Sequence, residues 1–294
     1  MTLRVVTSRH SPFYSPVICL VSGGFLEREG LPATLGGLAQ GDTSQAALRD
    51  GRADVMQSAV STNWGLIEKG VGDLPVHFAQ VNQRDGFFLS ARHEDPDFHW
   101  KKLEGRTLLA DHWGQPLAML KYAARRQGVD WAKVGVIDAG SPAQMLAAFR
   151  ARMGDYVHLQ GPGPQELEHE GAGHVVAMVG MAMPPTAFSS LSTTRAFVQS
   201  DAFPAFLRAF VKAKAWVRSA HPEEVAANIA PFFPGVPVQA LDASVARYQK
   251  LGNWDGDVAI PRNLYEQSLN VFEQSGAITR RHAYDQVCHV PQEA

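Results

Sequence analysis

The sequence predicts an α/β protein built from two lobes, each with a mixed sheet, that are joined by a hinge of two crossing segments. Short apolar strands alternate with amphipathic helical stretches, which is the pattern typical of α/β proteins. A polar segment that contains Pro96, His93–Trp100, interrupts this alternation and is expected to connect the lobes. After Asp201 the apolar residues recur at helical spacing, so the chain is expected to end in helices.

The first lobe is predicted over residues 1 to about 90 and again from about 188 to 294. Its helices are expected at 16–29, ended by Gly30, and at 42–50, where Asp42 would be the N-cap. Its strands are expected at 3–6, around Thr34 and Leu35, and at 51–56, 76–83 and 86–91.

The second lobe is predicted over residues 91 to 187, with boundaries that are approximate. Ser141, followed by Pro142 and Gln144, has the residue types of a capping box and predicts a helix start. The Gly/Pro-rich stretch that follows Asp155 and reaches Pro164 is predicted to be a loop. The other expected elements are strands at 107–110, 134–138 and 175–179, a helix at 116–127 closed by Gly128, and a return strand at 188–193.

Composition excludes several classes of protein. With 27 basic and 29 acidic residues and a formal net charge of -2, the chain lacks the basic surface of a nucleic-acid binder. No apolar run is long enough for a membrane span. The chain runs from Met1 straight into strand-like sequence, so it is expected to be cytoplasmic as written, or periplasmic if a leader has been removed. Two cysteines cannot form a four-thiolate metal site, and their redox state stays open.

Candidate ligand contacts lie in the loops that follow strands, because backbone N–H groups at helix starts favour anionic ligand groups. Hydroxyls, amides and aromatic rings together suit a planar or partly apolar ligand with polar ends. The same serines are also ordinary helix caps, and the aromatic residues could equally belong to the core. The candidates are Ser11, Phe13, Tyr14, Ser44, Ser58, Ser61, Thr62, Trp64, Asp111, His112, Trp113, Gln115, Tyr156 and His158.

Signals for catalysis are weaker than those for binding. His169 and His174 are five residues apart, whereas the zinc-protease motif needs four, so no metal site is expected. No phosphate-binding P-loop or Gly-x-Ser-x-Gly elbow occurs, and no cofactor is expected. Asp111 and His112 form the most interesting titratable pair, since a histidine at a helix N-terminus is held neutral and could act as a base. A polar residue that lines a binding cleft is the favoured alternative.

Three segments, in this order along the sequence, resemble one known family. They are Gly23–Leu31 (GGFLEREGL), Gln45–Val55 (QAALRDGRADV) and Lys102–Leu108 (KLEGRTL). Together with the helical C-terminal part, they are similar to the NMT1/THI5-like solute-binding proteins, which include sulfonate-binding (SsuA-like) and pyrimidine-binding members and have the type II periplasmic-binding-protein fold.

The resemblance implies that the chain captures a small organic ligand, anionic or heteroaromatic, between its lobes. It also implies a role as the substrate-binding component of an ABC-type transporter, with a permease as partner. The alternative is a cytoplasmic enzyme on the same fold, similar to a desulfinase or a decarboxylase. In the desulfinase the nucleophilic cysteine falls near Ser11 of this chain. His10, next to Ser11 in sequence, or His112 or His158 across the cleft could be the base, and Ser11 and His112 are the catalytic candidates. Whether the chain is an enzyme stays open, with binding favoured.

Overall fold

The structure, a computed structural model, describes residues 2–39 and 41–291. It is an α/β protein with two five-stranded mixed sheets, which confirms the predicted fold class. The strands are β1 (Leu3–Thr7), β2 (Ala33–Gly37), β3 (Val55–Ser58), β4 (Val76–Asn82), β5 (Phe87–Ala91), β6 (Thr107–Leu109), β7 (Gly135–Ile137), β8 (Tyr156–Gln160), β9 (His174–Met178) and β10 (Ser189–Thr193).

Thirteen helices within the described ranges surround these sheets. None of them is long and apolar enough to cross a membrane. They are α1 (Ser15–Ser22), α2 (Phe25–Arg28), α3 (Ser44–Arg49), α4 (Ser61–Glu68), α5 (Gly114–Arg126), α6 (Pro142–Arg150), α7 (Gly163–His169), α8 (Arg195–Val198), α9 (Ala202–Ser219), α10 (Pro222–Ile229), α11 (Val238–Leu251), α12 (Arg262–Ser275) and α13 (Tyr284–Val287).

The first sheet has the strand order β2-β1-β3-β10-β4, in which β2, β1 and β3 are parallel and β10 is antiparallel to its neighbours. The second sheet has the order β7-β6-β8-β5-β9, in which β7, β6 and β8 are parallel and β5 is antiparallel to β8 and β9. We call the first sheet with α1–α4 the first lobe, and the second sheet with α5–α7 the second lobe.

The chain crosses between the sheets at two places, and the first one differs from the prediction. Because β5 pairs with β8 and β9, the first crossing lies at 83–86, a few residues before the predicted boundary. The connection predicted at His93–Trp100 is wrong, since this segment follows β5 and leads to β6 within the second lobe. The second crossing, at 179–188, returns the chain to β10.

Three local predictions are corrected by the structure. The stretch predicted as a loop after Asp155 contains strand β8 and the start of helix α7, because the first four side chains of β8 are buried in the second lobe and this packing outweighs the nearby glycines. The helix predicted at 16–29 breaks at Gly23 and Gly24, where Gly24 has a positive φ of 69°. Asp42 does not cap α3: the side chain of Thr43 accepts the hydrogen bond from the Ala46 backbone, and Asp42 pairs with Arg52.

The C-terminal helices pack against both lobes. Helix α9 lies on α1, whereas α11 contacts α7 and α12 contacts α5. In α11 the Tyr248 hydroxyl accepts from the Gly161 backbone N–H (2.7 Å) and donates to the Gly86 carbonyl (3.1 Å). One buried side chain therefore joins the first crossing segment to the loop after β8.

Gly86, in the first crossing, tests how tightly this junction is packed. A Cβ atom placed on Gly86 would overlap the buried ring of Phe13, whereas a Cβ on exposed Gly72 would meet no atom within 4 Å. We expect Gly86→Ala to lower the free energy of unfolding by about 1–3 kcal/mol, because overpacking a core forces side chains and backbone to shift. Gly72→Ala should change it by less than about 1 kcal/mol. Urea denaturation of both variants measures the difference; equal effects would contradict this packing.

Candidate functional site

The carboxyl ends of the parallel strands from both sheets meet at one cleft. From the first lobe come the loops after β1, β2 and β3, and from the second lobe come the loops after β6, β7 and β8. Ligands of open α/β sheets bind outside the carboxyl ends of the strands, because loops and helix starts converge there. The topology therefore places the predicted binding loops around a common space.

The part of this cleft whose lining residues are more often buried is a cavity of about 450 Å³, which we call the inner chamber. Its walls combine aromatic rings with hydroxyls and side-chain amides, which is the composition expected of a small-molecule site. The polar lining residues include Ser8, Arg9, Tyr14, Asp42, Thr43, Ser44, Gln45, Gln57, Ser58, Ser61, Thr62, Gln115, Gln160 and Ser189. The apolar ones include Leu38, Ala59, Phe87, Trp113, Pro116, Phe188 and Phe272.

The part whose lining residues are more often exposed is larger, about 1230 Å³, and we call it the outer chamber. It is lined by the loops after β1, β2, β6, β7 and β8 and by the start of α6. Arg9 and Trp113 line both chambers and so lie at the boundary between them. Trp113 is 58% exposed, which is unusual for an indole and fits a position on the wall of an open cleft.

An ion pair joins the two lobes at this boundary. The guanidinium of Arg9, from the loop after β1, makes a two-bond pair with the carboxylate of Asp111, from the loop after β6. Both side chains are largely buried, at 13% and 4% exposed. Asp111 also accepts from the Trp113 backbone N–H (2.9 Å) at the start of α5, and Arg9 lies 4.1 Å from the Trp113 ring centroid. The pair is thus fixed on both sides.

Two further hydrogen bonds connect the lobes around the chambers. The Ser11 hydroxyl donates to the Gly161 carbonyl oxygen (2.6 Å). The Ser61 hydroxyl donates to the Gln115 side-chain oxygen (2.6 Å), and the Gln115 amide donates to the Phe188 carbonyl (2.6 Å). Predicted site residues from different loops are therefore in direct contact with one another.

Most of the predicted site residues line the cleft. Those that line one or both chambers are Ser11, Tyr14, Ser44, Ser58, Ser61, Thr62, Asp111, His112, Trp113 and Gln115. Whether each of them contacts a ligand stays a prediction.

Four predicted residues line neither chamber, and their assignment as ligand contacts is corrected to a structural role. Phe13 lies in an aromatic cluster with Phe188 and Tyr248, and Trp64 packs edge-on against Tyr265 and Phe272. Tyr156 begins β8, at the end of the strand opposite the cleft, and packs against Phe98. His158 is completely buried, and its ring stacks on Phe87 with 4.4 Å between centroids.

Arg9 is the one arginine or lysine on the lining of either chamber among the described residues, and it was not among the predicted site residues. Gln57, the penultimate residue of β3, was not among them either. The available signal was position: both residues lie within two residues of the carboxyl end of a strand that faces the cleft.

Two buried ionisable groups lie close to the ion pair. Burial raises the pKa of Asp85 to about 8, against the effect of a hydrogen bond from the Phe87 backbone N–H, and the Asp111 charge adds to the rise. Burial lowers the pKa of His158 to about 3, and neither ring nitrogen has a hydrogen-bond partner among the described residues. At neutral pH both side chains are therefore largely uncharged.

The raised pKa of Asp85 makes the free energy of unfolding decrease as the pH rises. Since the pKa is about 8 when folded and roughly 4 when unfolded, folding takes up a proton and this contribution to stability falls as pH rises from about 4 to 8. Asp85→Asn removes this dependence. As the pH rises from 5.5 to 7.5, we expect its free energy of unfolding to increase by about 1–3 kcal/mol relative to that of the original protein. Urea titrations at both pH values measure this, with exposed Asp97→Asn as the control; parallel pH profiles for Asp85→Asn and the original protein would contradict it.

The residues named for catalysis do not form a nucleophile–base pair in this structure. The Ser11 hydroxyl donates to the Gly161 carbonyl, and no hydrogen bond joins it to a histidine within the described ranges. His112 contacts the Ala110 carbonyl through Nδ1 (2.7 Å), so this nitrogen carries the proton. Over residues 2–39 and 41–291, no group of three His, Cys, Asp or Glu side chains could hold a metal ion.

No protein-family model matches the chain. A Bacillus subtilis protein named "Putative binding protein YtlA" is 26% identical over 97% of this chain and 86% of its own length. A ligand-binding component of an ABC-type import system from Staphylococcus aureus superposes with a TM-score of 0.76, at 15% identity over 99% and 97% of the two chains. The periplasmic aliphatic sulphonate-binding protein SsuA of Escherichia coli gives 0.73, at 17% identity over 100% and 93%.

A further solved structure bears on the enzyme alternative. A variant of DszB in complex with biphenyl-2-sulfinic acid superposes with a TM-score of 0.69, at 12% identity over 98% of this chain and 96% of that one. Similarity at this level of identity establishes a common fold only. The chain therefore has the type II periplasmic-binding-protein fold, as its resemblance to the NMT1/THI5-like proteins predicted.

Proposed function

We propose that this protein reversibly binds a small organic molecule in the inner chamber and acts as the substrate-binding component of an ABC-type import system. One observation carries the proposal: the chamber walls come from both lobes, so that a ligand there would contact both at once. Closure of two lobes around a ligand is a known mode of capture, because binding energy then favours the closed arrangement.

The chamber has the dimensions and the chemistry for such a ligand. Its volume of about 450 Å³ lies within the range of small-molecule sites, roughly 300–1,000 Å³. Phe87, Phe188 and Trp113 offer flat apolar surface, while Gln57 and Gln160 offer both donors and acceptors. This lining supports recognition of an organic molecule rather than of a bare inorganic ion.

The partner and the location follow from the same proposal. A binding component delivers its ligand to a permease, so we propose an ABC-type permease as the macromolecular partner. Delivery to an importer requires the outer side of the cytoplasmic membrane, so we propose that the mature protein is extracytoplasmic. Both steps are supported by the Staphylococcus aureus protein, a component of an ABC-type import system, and by SsuA, a periplasmic binding protein; the name of YtlA supports the binding role.

An enzyme of the same fold is the second candidate, and the similarity to DszB with its bound sulfinic acid favours it. Ser11, near the position of that family's nucleophile, is buried and donates its proton to the Gly161 carbonyl rather than to a base. A serine needs a neighbouring base to become a nucleophile, so catalysis would require a rearrangement of the cleft.

Ligand screening with recovery of the ligand tests the proposal. The purified protein is screened by thermal shift against sulfonates, sulfinates, pyrimidines, carboxylates and amino acids. A ligand at 100 times its Kd is expected to add about 2.7 kcal/mol to the unfolding free energy. We expect mass spectrometry of the denatured complex to return this ligand unchanged. Conversion of the ligand would favour the enzyme, and a complete lack of stabilisation would overturn binding.

A further inference from the structure

The cleft lining is acidic, which a site for simple anions would not be. Among the described residues that line the two chambers, Arg9 faces four carboxylates, and no lysine contributes. The four carboxylates are those of Asp42, Asp111, Asp138 and Glu166. A ligand with a net negative charge would therefore enter a space in which negative groups outnumber positive ones.

The arginine in this lining already has a partner. Asp111 takes two of the five N–H groups of Arg9. Asp42 is paired with Arg52, and Glu166 lies 3.2 Å from Arg150, so cations outside the chambers compensate these two carboxylates. Asp138 is 57% exposed. Among the described residues, no arginine or lysine on the lining is thus without a carboxylate partner and free to compensate an anionic ligand.

The buried pair at the chamber boundary can nevertheless serve a ligand that has both charges. Arg9 keeps three N–H groups that are not bonded to Asp111, and these can donate to an acid group. The carboxylate of Asp111 accepts three hydrogen bonds and, with about four acceptor positions, can take one more from an ammonium group. A ligand with both groups leaves a neutral cluster of four alternating charges, whereas a simple anion leaves an uncompensated charge.

We propose that the ligand is dipolar and reaches the boundary of the two chambers, with an acid group held by Arg9, which lines both chambers, and an ammonium or similar protonated nitrogen held by Asp111, which lines the outer one. This inference rests on the proposed binding function and names the chemical class of its ligand. Apart from Asp42, which is paired with Arg52, the remaining polar side chains of the inner chamber are neutral amides and hydroxyls, which can bind the body of such a molecule without adding charge.

Matched probes test the ligand class. One set is 2-aminoethanesulfonate, ethanesulfonate and ethylamine; the other is 4-(aminomethyl)benzoate, 4-methylbenzoate and 4-methylbenzylamine. Calorimetric titration of the original protein should give a Kd for the dipolar member of at least one set that is at least tenfold lower than for the matching anion or amine. A tenfold difference is modest for a charge pair at a partly buried site.

Variants of Asp111 test whether this residue binds the positively charged group of the ligand. We expect Asp111→Asn to reverse the preference, so that the simple anion binds at least tenfold tighter than the dipolar probe, because Arg9 is released. Asp111→Glu keeps the negative charge and should therefore retain the original preference. It is the variant to measure if Asp111→Asn does not fold. The control is Asp97→Asn, at an exposed residue that lines neither chamber, which should leave the ratio unchanged.

The outcomes separate this inference from the proposed function. If the original protein binds the simple anions more tightly, or binds only uncharged compounds from the wider screen, the dipolar class is overturned while the binding function stands. If no compound in the screen stabilises the protein, both fail. An Asp111→Asn variant that folds and keeps the original preference would also overturn the assignment of Asp111.

Discussion

Replacing Arg9 by methionine is expected to lower the free energy of unfolding by about 3–5 kcal/mol and to abolish ligand binding. The Arg9–Asp111 pair is largely buried and joins the lobes, so Arg9→Met leaves the Asp111 carboxylate without its cation. Removing one partner of a buried ion pair costs about this much, because the remaining charge cannot be hydrated. Binding fails because Arg9 lines both chambers.

The chain offers a matched control for this prediction. Arg4 makes the same kind of two-bond pair with Asp54, but its side chain is 45% exposed. Arg4→Met should lower the free energy of unfolding far less than Arg9→Met does, since exposed pairs contribute little. Guanidinium denaturation measures the free energy of unfolding of both variants. Equal decreases for Arg9→Met and Arg4→Met would contradict a structural role for the buried pair.

The second large effect is expected from filling the inner chamber. Ala59 follows β3 and lines this chamber, so Ala59→Phe places a ring in the space proposed for the ligand. We expect the Kd of any ligand found in the screen to rise by at least a hundredfold, because a ligand and the ring cannot occupy the same volume. The melting temperature without ligand should change little, since the ring enters a cavity rather than a filled core.

Ala143→Phe is the matched control for this experiment. Ala143 is exposed and lines only the outer chamber, so the same substitution there adds a ring at a distance from the inner chamber. Its Kd should stay within about threefold of the original. If the Ala143 variant lost binding and the Ala59 variant kept it, the ligand would occupy the outer chamber instead.

The fold was predictable because local patterns of residue types indicate its strands and helices. The strands at Leu3–Thr7 and Val76–Asn82 carry runs of β-branched and apolar residues, and the helix after Ser141 carries all residue types of its capping box, which the structure contains. The place where the chain changes lobes was not predictable in the same way. The sequence of strand β5 is compatible with either lobe, and only its pairing with β8 and β9 shows that it belongs to the second lobe.

The candidate site was predicted only in part, for a physical reason. Sequence position indicates which loops follow strands, and the loops around Ser11, Ser61 and Asp111 do meet at the cleft. It does not indicate which side of a loop faces the space between the lobes. Trp64 turns into the core although Ser61 and Thr62 line the inner chamber. Arg9 gains its role only from Asp111, 102 residues away.

The central claim is that the inner chamber captures a small molecule and releases it unchanged. The most direct measurement is calorimetric titration of the screened ligand into the original protein and Ala59→Phe, followed by mass spectrometry of the ligand after denaturation. We predict one ligand per chain, recovered intact, with binding lost in Ala59→Phe. Undiminished binding by Ala59→Phe, or recovery of a converted ligand, would contradict the account.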